Sequence, residues 1–438
     1  MMQHNGPSRN RVFHNDREPL RHNVDPKFRR HRVRGPLPFL NPTRAHFALE
    51  HDQHHLQGAI PGVFYKWTAR NNRKGRHALR IDEFAVDDTQ GVQILSQRAG
   101  HHSAIVQALA RVFTQIPVWD ISYLVALIFT VGSVIWVVNG FFVFLPLIMP
   151  SSEFHNEILY GGGITAFIGA TVFEFGSILL MLEAVNENRT GCFGWALSVA
   201  FENPSHPSSQ PAVDAEKDSP AFKLMPTSSK CEHHHPNSHN IVGQNQHGTS
   251  TNSDPNHGRS WCWFPSCTQL RTHYVYELGF WACSIQLIAA TIFWIAGFTA
   301  LPGIYNHMSN NLIDSVYWTP QVVGGLGFVI SGLLFMLETQ THWWKPALSQ
   351  LGWHIGAWNM LGGVGFTLSP AFGYDMAASW AQYQAACSTF WGSWAFLIGS
   401  LLQYYESLDK HPVEIRRHGP NRDSIGGDSN LDSQADEQ

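Results

Sequence analysis

Acidic residues in apolar surroundings are the first chemistry this chain offers. Glu174 lies in the run FEFGSILLMLE, residues 173–183, nine residues before Glu183. On a helix that spacing is about 13–14 Å, which sets the carboxyl near the centre of a bilayer. A carboxylate there costs on the order of a few kcal/mol or more, so such an acid is either an ion or proton site or a protonated group bonded to a neighbouring helix. Gln286 and Asn359 hold matching positions in two related apolar runs and are its candidate partners. Glu174, Gln286 and Asn359 together form the candidate membrane-core polar site.

A second set of acids ends three similar runs. Glu183, Glu338 and Glu406 close FEFGSILLMLE, FVISGLLFMLE and FLIGSLLQYYE. The negative end of the helix macrodipole disfavours an acid at a C-terminus, so capping does not account for them. Pairing with Arg189, Arg271 or Lys345 is the preferred explanation, and a cation entrance is the other. Asp120 and Glu277 open apolar runs, where capping and the dipole suffice.

Two stretches carry metal-ligand residue types. His51-Asp52-Gln53-His54-His55 has the look of one histidine box of a membrane desaturase, but such enzymes need several boxes near their helices. Cys231-Glu232-His233-His234-His235, with Cys262 and Cys267, offers soft ligands suited to zinc. Its long polar spacer favours weak binding over a folded zinc site. No catalytic constellation, cofactor, metal or nucleic-acid partner is expected.

The elements that position these acids are membrane helices. Charged residues are 14% of the chain, yet they gather in three polar regions. Between those regions lie six apolar runs, about 121–148, 159–183, 276–300, 320–338, 353–372 and 382–405. Each approaches the roughly 20 residues needed to cross a hydrocarbon core of roughly 30 Å. Pro146, Pro150, Pro302 and Pro370 close the odd-numbered runs, and Pro320 opens the fourth. The fifth is the least apolar, with Gly356, Gly362, Gly363, Gly365 and Asn359.

Loop charge supports this count independently. The short loops 149–158, 301–319 and 373–381 contain no Lys or Arg, whereas 18 of the 29 basic residues precede the first run. The remainder lie between runs two and three, between runs four and five, and in the tail. That alternation predicts six spans with both termini cytoplasmic. None of the six cysteines falls in a short loop, so no disulfide framework is expected on the far side.

The apolar runs also repeat. The pairs opening at Asp120, Glu277 and Gln350 are three tandem helix hairpins of one orientation, hence parallel repeats. Small residues at helical spacing, Ala166/Ala170, Gly327/Ser331 and Ala395/Gly399, offer close packing surfaces. The fold expected is an all-α membrane protein with hairpins at 119–185, 273–340 and 341–406. A basic, His-rich arm (1–102), a loop (186–272) and a tail (407–438) are expected to be disordered and cytoplasmic. Residues 103–118 read as an amphipathic interfacial helix, with the basic arm near anionic lipid.

A resemblance adds to this reading. TQLRTHYVYELGFWACSIQLIAATIFWIAGF, YWTPQVVGGLGFVISGLLFMLETQTHWWKPALSQLGWHIGAWN and the FxxGSxL pattern resemble uncharacterised fungal multi-pass integral membrane proteins. The paired-helix unit is similar to the small bacterial YrhK-like membrane domain. The likeness covers roughly 119–406 and implies a membrane fold without an activity. Two functions stay open: handling of a small solute, ion or proton through the bundle, or a membrane scaffold or regulator whose polar segments bind partners or anionic lipid.

Cysteines introduced at Ser151, Asn310 and Asp375 are expected to react with an impermeant thiol reagent from the non-cytoplasmic side only. Cysteines at Ser219 and Ser429 should react only after permeabilisation. Labelling of Ser219 and Asn310 from one side would end the six-span reading.

Overall fold

The computed structural model describes residues 28–49, 63–76, 78–82, 116–187, 189–194, 196–197, 261–408, 410 and 413–416. Most of these are helical. The long helices follow the apolar runs: α2 (Ile121–Ile148), α3 (Gly163–Val185), α4 (Leu278–Thr299), α5 (Thr319–Glu338), α6 (Leu351–Gly373) and α7 (Ser379–Leu408). A short helix, α1 (Ala69–Arg73), precedes them. One turn of wider π geometry leads into α3 (Ile158–Gly162) and another into α5 (Asp314–Trp318).

Five helices are long and apolar enough to cross a membrane: Ile121–Ile148, Ile158–Val185, Leu278–Thr299, Asn310–Glu338 and Ser379–Leu408. The chain is a helical, multi-pass membrane protein. Helix α6 matches the others in length, but Gly and Asn359 dilute its apolar character. Pro146 and Pro370 lie inside α2 and α6 rather than ending them. Each is within the last turns, where little of the helix remains to be disrupted.

The helices close into a ring in chain order, each packed on the next and α7 packed on α2. Large apolar side chains such as Val134, Phe175, Ile288, Ile330 and Leu401 face outward, as lipid contact requires. The small-residue surfaces meet their neighbours: a Cβ on Gly297 would fall 2.6 Å from the Ala170 methyl. Between α6 and α7 backbone meets backbone, since a Cβ on Gly365 would stand 2.7 Å from Gly392 Cα.

The polar arm departs from expectation. It contributes β1 (Phe28–Arg34), β2 (Arg44–Leu49), β3 (Val63–Thr68) and β4 (Ala78–Asp82), and the tail contributes β5 (Val413–Arg416). They form one sheet in the order β1-β2-β3-β4-β5. The first three pairings are antiparallel and β4–β5 is parallel. The all-α expectation is corrected accordingly, and so is the disorder expected of residues 28–49, 63–76 and 78–82 of the arm, of 267–272 in the loop and of 413–416 in the tail. Of the interfacial helix expected at 103–118, only 116–118 are among the described residues, and these are not helical.

The sheet hands the chain to α1. Thr68 ends β3 and caps α1 by accepting from the Asn71 amide at 3.1 Å. Gly75 then turns the chain at φ +59°, where a Cβ would meet Thr190 Oγ1 at 2.6 Å. The result fixes the rotation of a five-residue helix that packs on the ring. The end of the ring that meets α1 and the sheet is the sheet end, and the opposite is the short-loop end.

Gly365→Leu should separate α6 from α7 and destabilise by about 1–3 kcal/mol, the usual cost of overpacking. Gly191→Ala, whose Cβ meets nothing within 4 Å, should be nearly silent. Thermal unfolding in detergent compares the two.

Candidate functional site

The three terminal acids meet at the sheet end. Each is the last member of an inward face whose residues recur one or two helical turns apart: Phe173, Leu180 and Glu183 on α3, Phe328, Ser331 and Glu338 on α5, and Phe396, Gln403 and Glu406 on α7. Glu183, Glu338 and Glu406 are 0%, 1% and 2% exposed. The cations that receive them come from α1. Arg70, Arg73 and Lys74 occupy one face at i, i+3 and i+4, and all three are buried.

Arg73 bridges two hairpins, donating to Glu183 Oε1 at 2.9 Å and to Glu338 Oε2 at 2.7 Å. Arg70 takes both oxygens of Glu406, at 3.0 and 2.7 Å, a fork geometry well matched to a carboxylate. Arg76 adds a contact of 3.3 Å to Glu406. Lys74 Nζ stands 3.8 Å from both Glu183 and Glu406. Burial opposes the charge of both arginines, yet the carboxylates beside them hold their pKa above the ordinary value. Burial pulls the Lys74 pKa down, and its more distant carboxylates offset this only in part.

Small residues at helix starts seat these cations. A Cβ on Gly352 would come within 2.6 Å of Arg70 Cδ, and one on Gly279 within 3.0 Å of Arg73 Nε. The matching residue of the first hairpin, Ser122, accepts from Lys410 Nζ at 2.6 Å. Lys410 also pairs with Asp120 at 2.7 Å, and Asp120 caps α2 through the Ser122 amide. Glu277 opens α4 without capping it and accepts from Asn41 of the arm instead.

Ion pairing within the fold is therefore how the three acids are used, but Arg70, Arg73 and Lys74 take the place of Arg189, Arg271 and Lys345. The signal lay in ARNNRK, residues 69–74, whose three cations share a helical face between a capping Thr68 and Gly75.

Beneath this latch lies a cavity of about 30 Å³, room for about two waters. Gln286 and Asn359 both line it, together with Phe129 at the matching position of the first hairpin. Glu174 does not join them. Phe173 holds the inward face, so the next residue is turned about 100° away, toward α4. There Glu174 Oε1 accepts from Thr291 Oγ1 at 2.9 Å, and Oε2 has no partner among the described residues. The expected pairing of Glu174 with Gln286 or Asn359 is corrected.

Aromatic rings close the axis next. Trp136, Phe293 and Phe366 each follow their helix-opening residue by the same interval, 120 to 136, 277 to 293 and 350 to 366. They form a triangle with centroids 4.8, 5.6 and 5.7 Å apart. Phe396 packs edge-on to Phe173 at 5.5 Å, to Phe328 at 5.9 Å and to Phe366 at 5.2 Å.

No protein-family model, curated protein or solved structure matches this chain. Its function has to be argued from its own geometry.

Beyond the triangle a vestibule of about 680 Å³ occupies the short-loop end, with Trp136 and Phe293 among its lining and Pro150, Tyr305 and Met376 toward its mouth. Asn139, Gln321, Ser369 and Thr389 place hydrogen-bonding groups in its wall. The volume suits a small molecule. The metal-ligand stretches at 51–55 and 231–235 lie outside the described residues. Among the described residues no group of three or more His, Cys, Asp or Glu side chains is arranged to hold a metal ion. The backbone of Cys262 is held by Asn186, and Cys267 opens a helical turn capped by Ser266.

Removing one partner of a buried ion pair costs about 3–5 kcal/mol, because the other charge stays buried and uncompensated. Arg73→Met strands Glu183 and Glu338 together and should lower stability by that order. Arg73→Met combined with Glu183→Gln and Glu338→Gln should recover part of the loss in thermal unfolding.

Proposed function

We propose that the chain spans the membrane six times as three parallel helix hairpins, with both termini cytoplasmic, and handles a small solute or ion through the bundle. Helix α6 is the sixth span, sheltered between α5 and α7, where its glycines serve packing rather than lipid contact. The matched positions that meet on the axis support three equivalent hairpins: Trp136, Phe293 and Phe366, and the three terminal acids. The absence of Lys and Arg from the short loops supports the orientation.

One observation carries the solute reading. A 680 Å³ vestibule runs from the short-loop end to an aromatic closure on the axis, beyond which lies a small cavity under an ionic latch. A pathway closed in two places has this arrangement. In this reading α1 is the inner closure and the aromatic triangle the middle one. Glu174 stands outside the path, since its carboxyl faces Thr291. Kinship with uncharacterised fungal integral membrane proteins and the YrhK-like domain is part of the same proposal, resting on the runs quoted above.

A second reading, a membrane scaffold or regulator, draws on the sheet. Arm and tail meet in β4–β5 and present a folded surface to partners, and the basic arm is available to anionic lipid.

Liposome flux of the purified protein separates the two. Phe366→Ala, which opens the triangle, and the paired change Arg73→Gln with Glu338→Gln, which weakens the latch without leaving a net charge, should together raise flux of small cations or neutral solutes at least tenfold over wild type. Glu174→Gln should leave it unchanged. A folded double-closure variant that passes no solute would favour the scaffold.

A further inference from the structure

The vestibule wall has a chemical bias that narrows what it would hold. Its inner end is aromatic: Trp136 and Phe293 meet edge to face at 5.7 Å. Its flank is aromatic too, with Tyr317 packed between Tyr305 at 5.0 Å and Trp318 at 4.4 Å. Such faces carry negative electrostatic potential and attract cations.

Hydrogen-bonding groups in the wall are set the same way. Asn139 spends its amide nitrogen on Gly162 O at 2.6 Å and Thr165 Oγ1 at 2.9 Å. Gln321 spends its own on Tyr317 O at 3.1 Å. Their carbonyl oxygens make no hydrogen bond among the described residues, so each amide presents an acceptor; Asn139 spends both of its N–H groups and Gln321 one of its two. A ligand with N–H donors finds two carbonyl acceptors in that wall.

Net charge agrees. No Lys or Arg lines the vestibule, while Glu153 does. The surrounding short loops add Glu157, Asp314 and Asp375 and contain no Lys or Arg; their ionisable bases are His155, which also lines the vestibule, and His307. A mouth of one sign, above low-dielectric walls, concentrates ions of the opposite sign.

We propose that the vestibule binds an organic ammonium cation, with its apolar body against Trp136 and Phe293 and its N–H groups toward Asn139 and Gln321. This rests on the reading of the vestibule as a solute site and names the class of solute. Inorganic cations are too small to fill the space, and anions meet both the wall and the field unfavourably.

The full chain, purified in nanodiscs, is titrated with 2-phenylethylammonium, tetraethylammonium, the neutral 3-phenylpropan-1-ol and the anionic 3-phenylpropionate. Tryptophan fluorescence and thermal shift report binding. The expected result is saturable binding of 2-phenylethylammonium about tenfold tighter than the neutral alcohol, with the anion weaker still. Gln321→Leu should weaken the cation at least fivefold and leave the alcohol nearly unchanged. Glu153→Gln, at the exposed rim, should reduce the salt dependence of cation binding. Equal binding of alcohol and cation, or a preference for the anion, would overturn the assignment of class while leaving the vestibule a solute site. Cation binding untouched by Gln321→Leu and Glu153→Gln would place it elsewhere and overturn the assignment too. No binding of any probe would remove the solute reading along with it.

Discussion

Three carboxylates buried at one end of an otherwise almost uncharged helix ring impose the constraint from which much of this architecture follows. An ionised carboxylate withdrawn from water needs opposite charge and hydrogen bonds close by. Here Glu183, Glu338 and Glu406 are sealed from solvent, and no ring helix supplies the arginines that face them. The cations must therefore be brought in by another segment. That requirement explains a polar arm ordered enough to build strands, a five-residue helix too short to be stable alone, and glycines at 279 and 352 whose missing side chains leave room for arginine stems.

Matched spacings shape what lies between the two ends. Residues at one interval along each hairpin converge, and their character changes with depth: cations and acids, then Phe129 with two amides, then aromatic rings, then an open chamber. Equivalent positions are not identical. Phe129 stands where Gln286 and Asn359 do, and Asn139 stands where Ala296 and Ser369 do. The spacing is shared while the residues differ, so polar groups are distributed unevenly around the axis.

Much of this was legible in the sequence, for identifiable reasons. Helix positions follow from long apolar runs, and the acids stood out because they recur at one spacing where the dipole opposes them. Their partners were hidden because Arg70 and Glu406 are 336 residues apart, beyond any local pattern. The strands RAHFAL, VFYKWT and ALRID are short and mix charges with apolar residues, so composition masked them. Glu174 misled for a different reason. Depth along a helix can be counted from a sequence, but facing depends on which neighbour holds the axis, and there Phe173 does.

The latch also has a bearing on how the molecule is made. Helix α1 is synthesised before every carboxylate it will hold, and Glu183, Glu338 and Glu406 then arrive one hairpin at a time. Arg73 can bridge the first two helix pairs once the second is complete, but the carboxylate that Arg70 grips with both nitrogens arrives only with the last helix. A chain halted after the second helix pair would keep Arg70 without Glu406 and an arm that is only partly seated. Seating of the arm thus registers that synthesis has run through the third hairpin, and an unfinished product would carry its own mark of incompleteness for quality control to read.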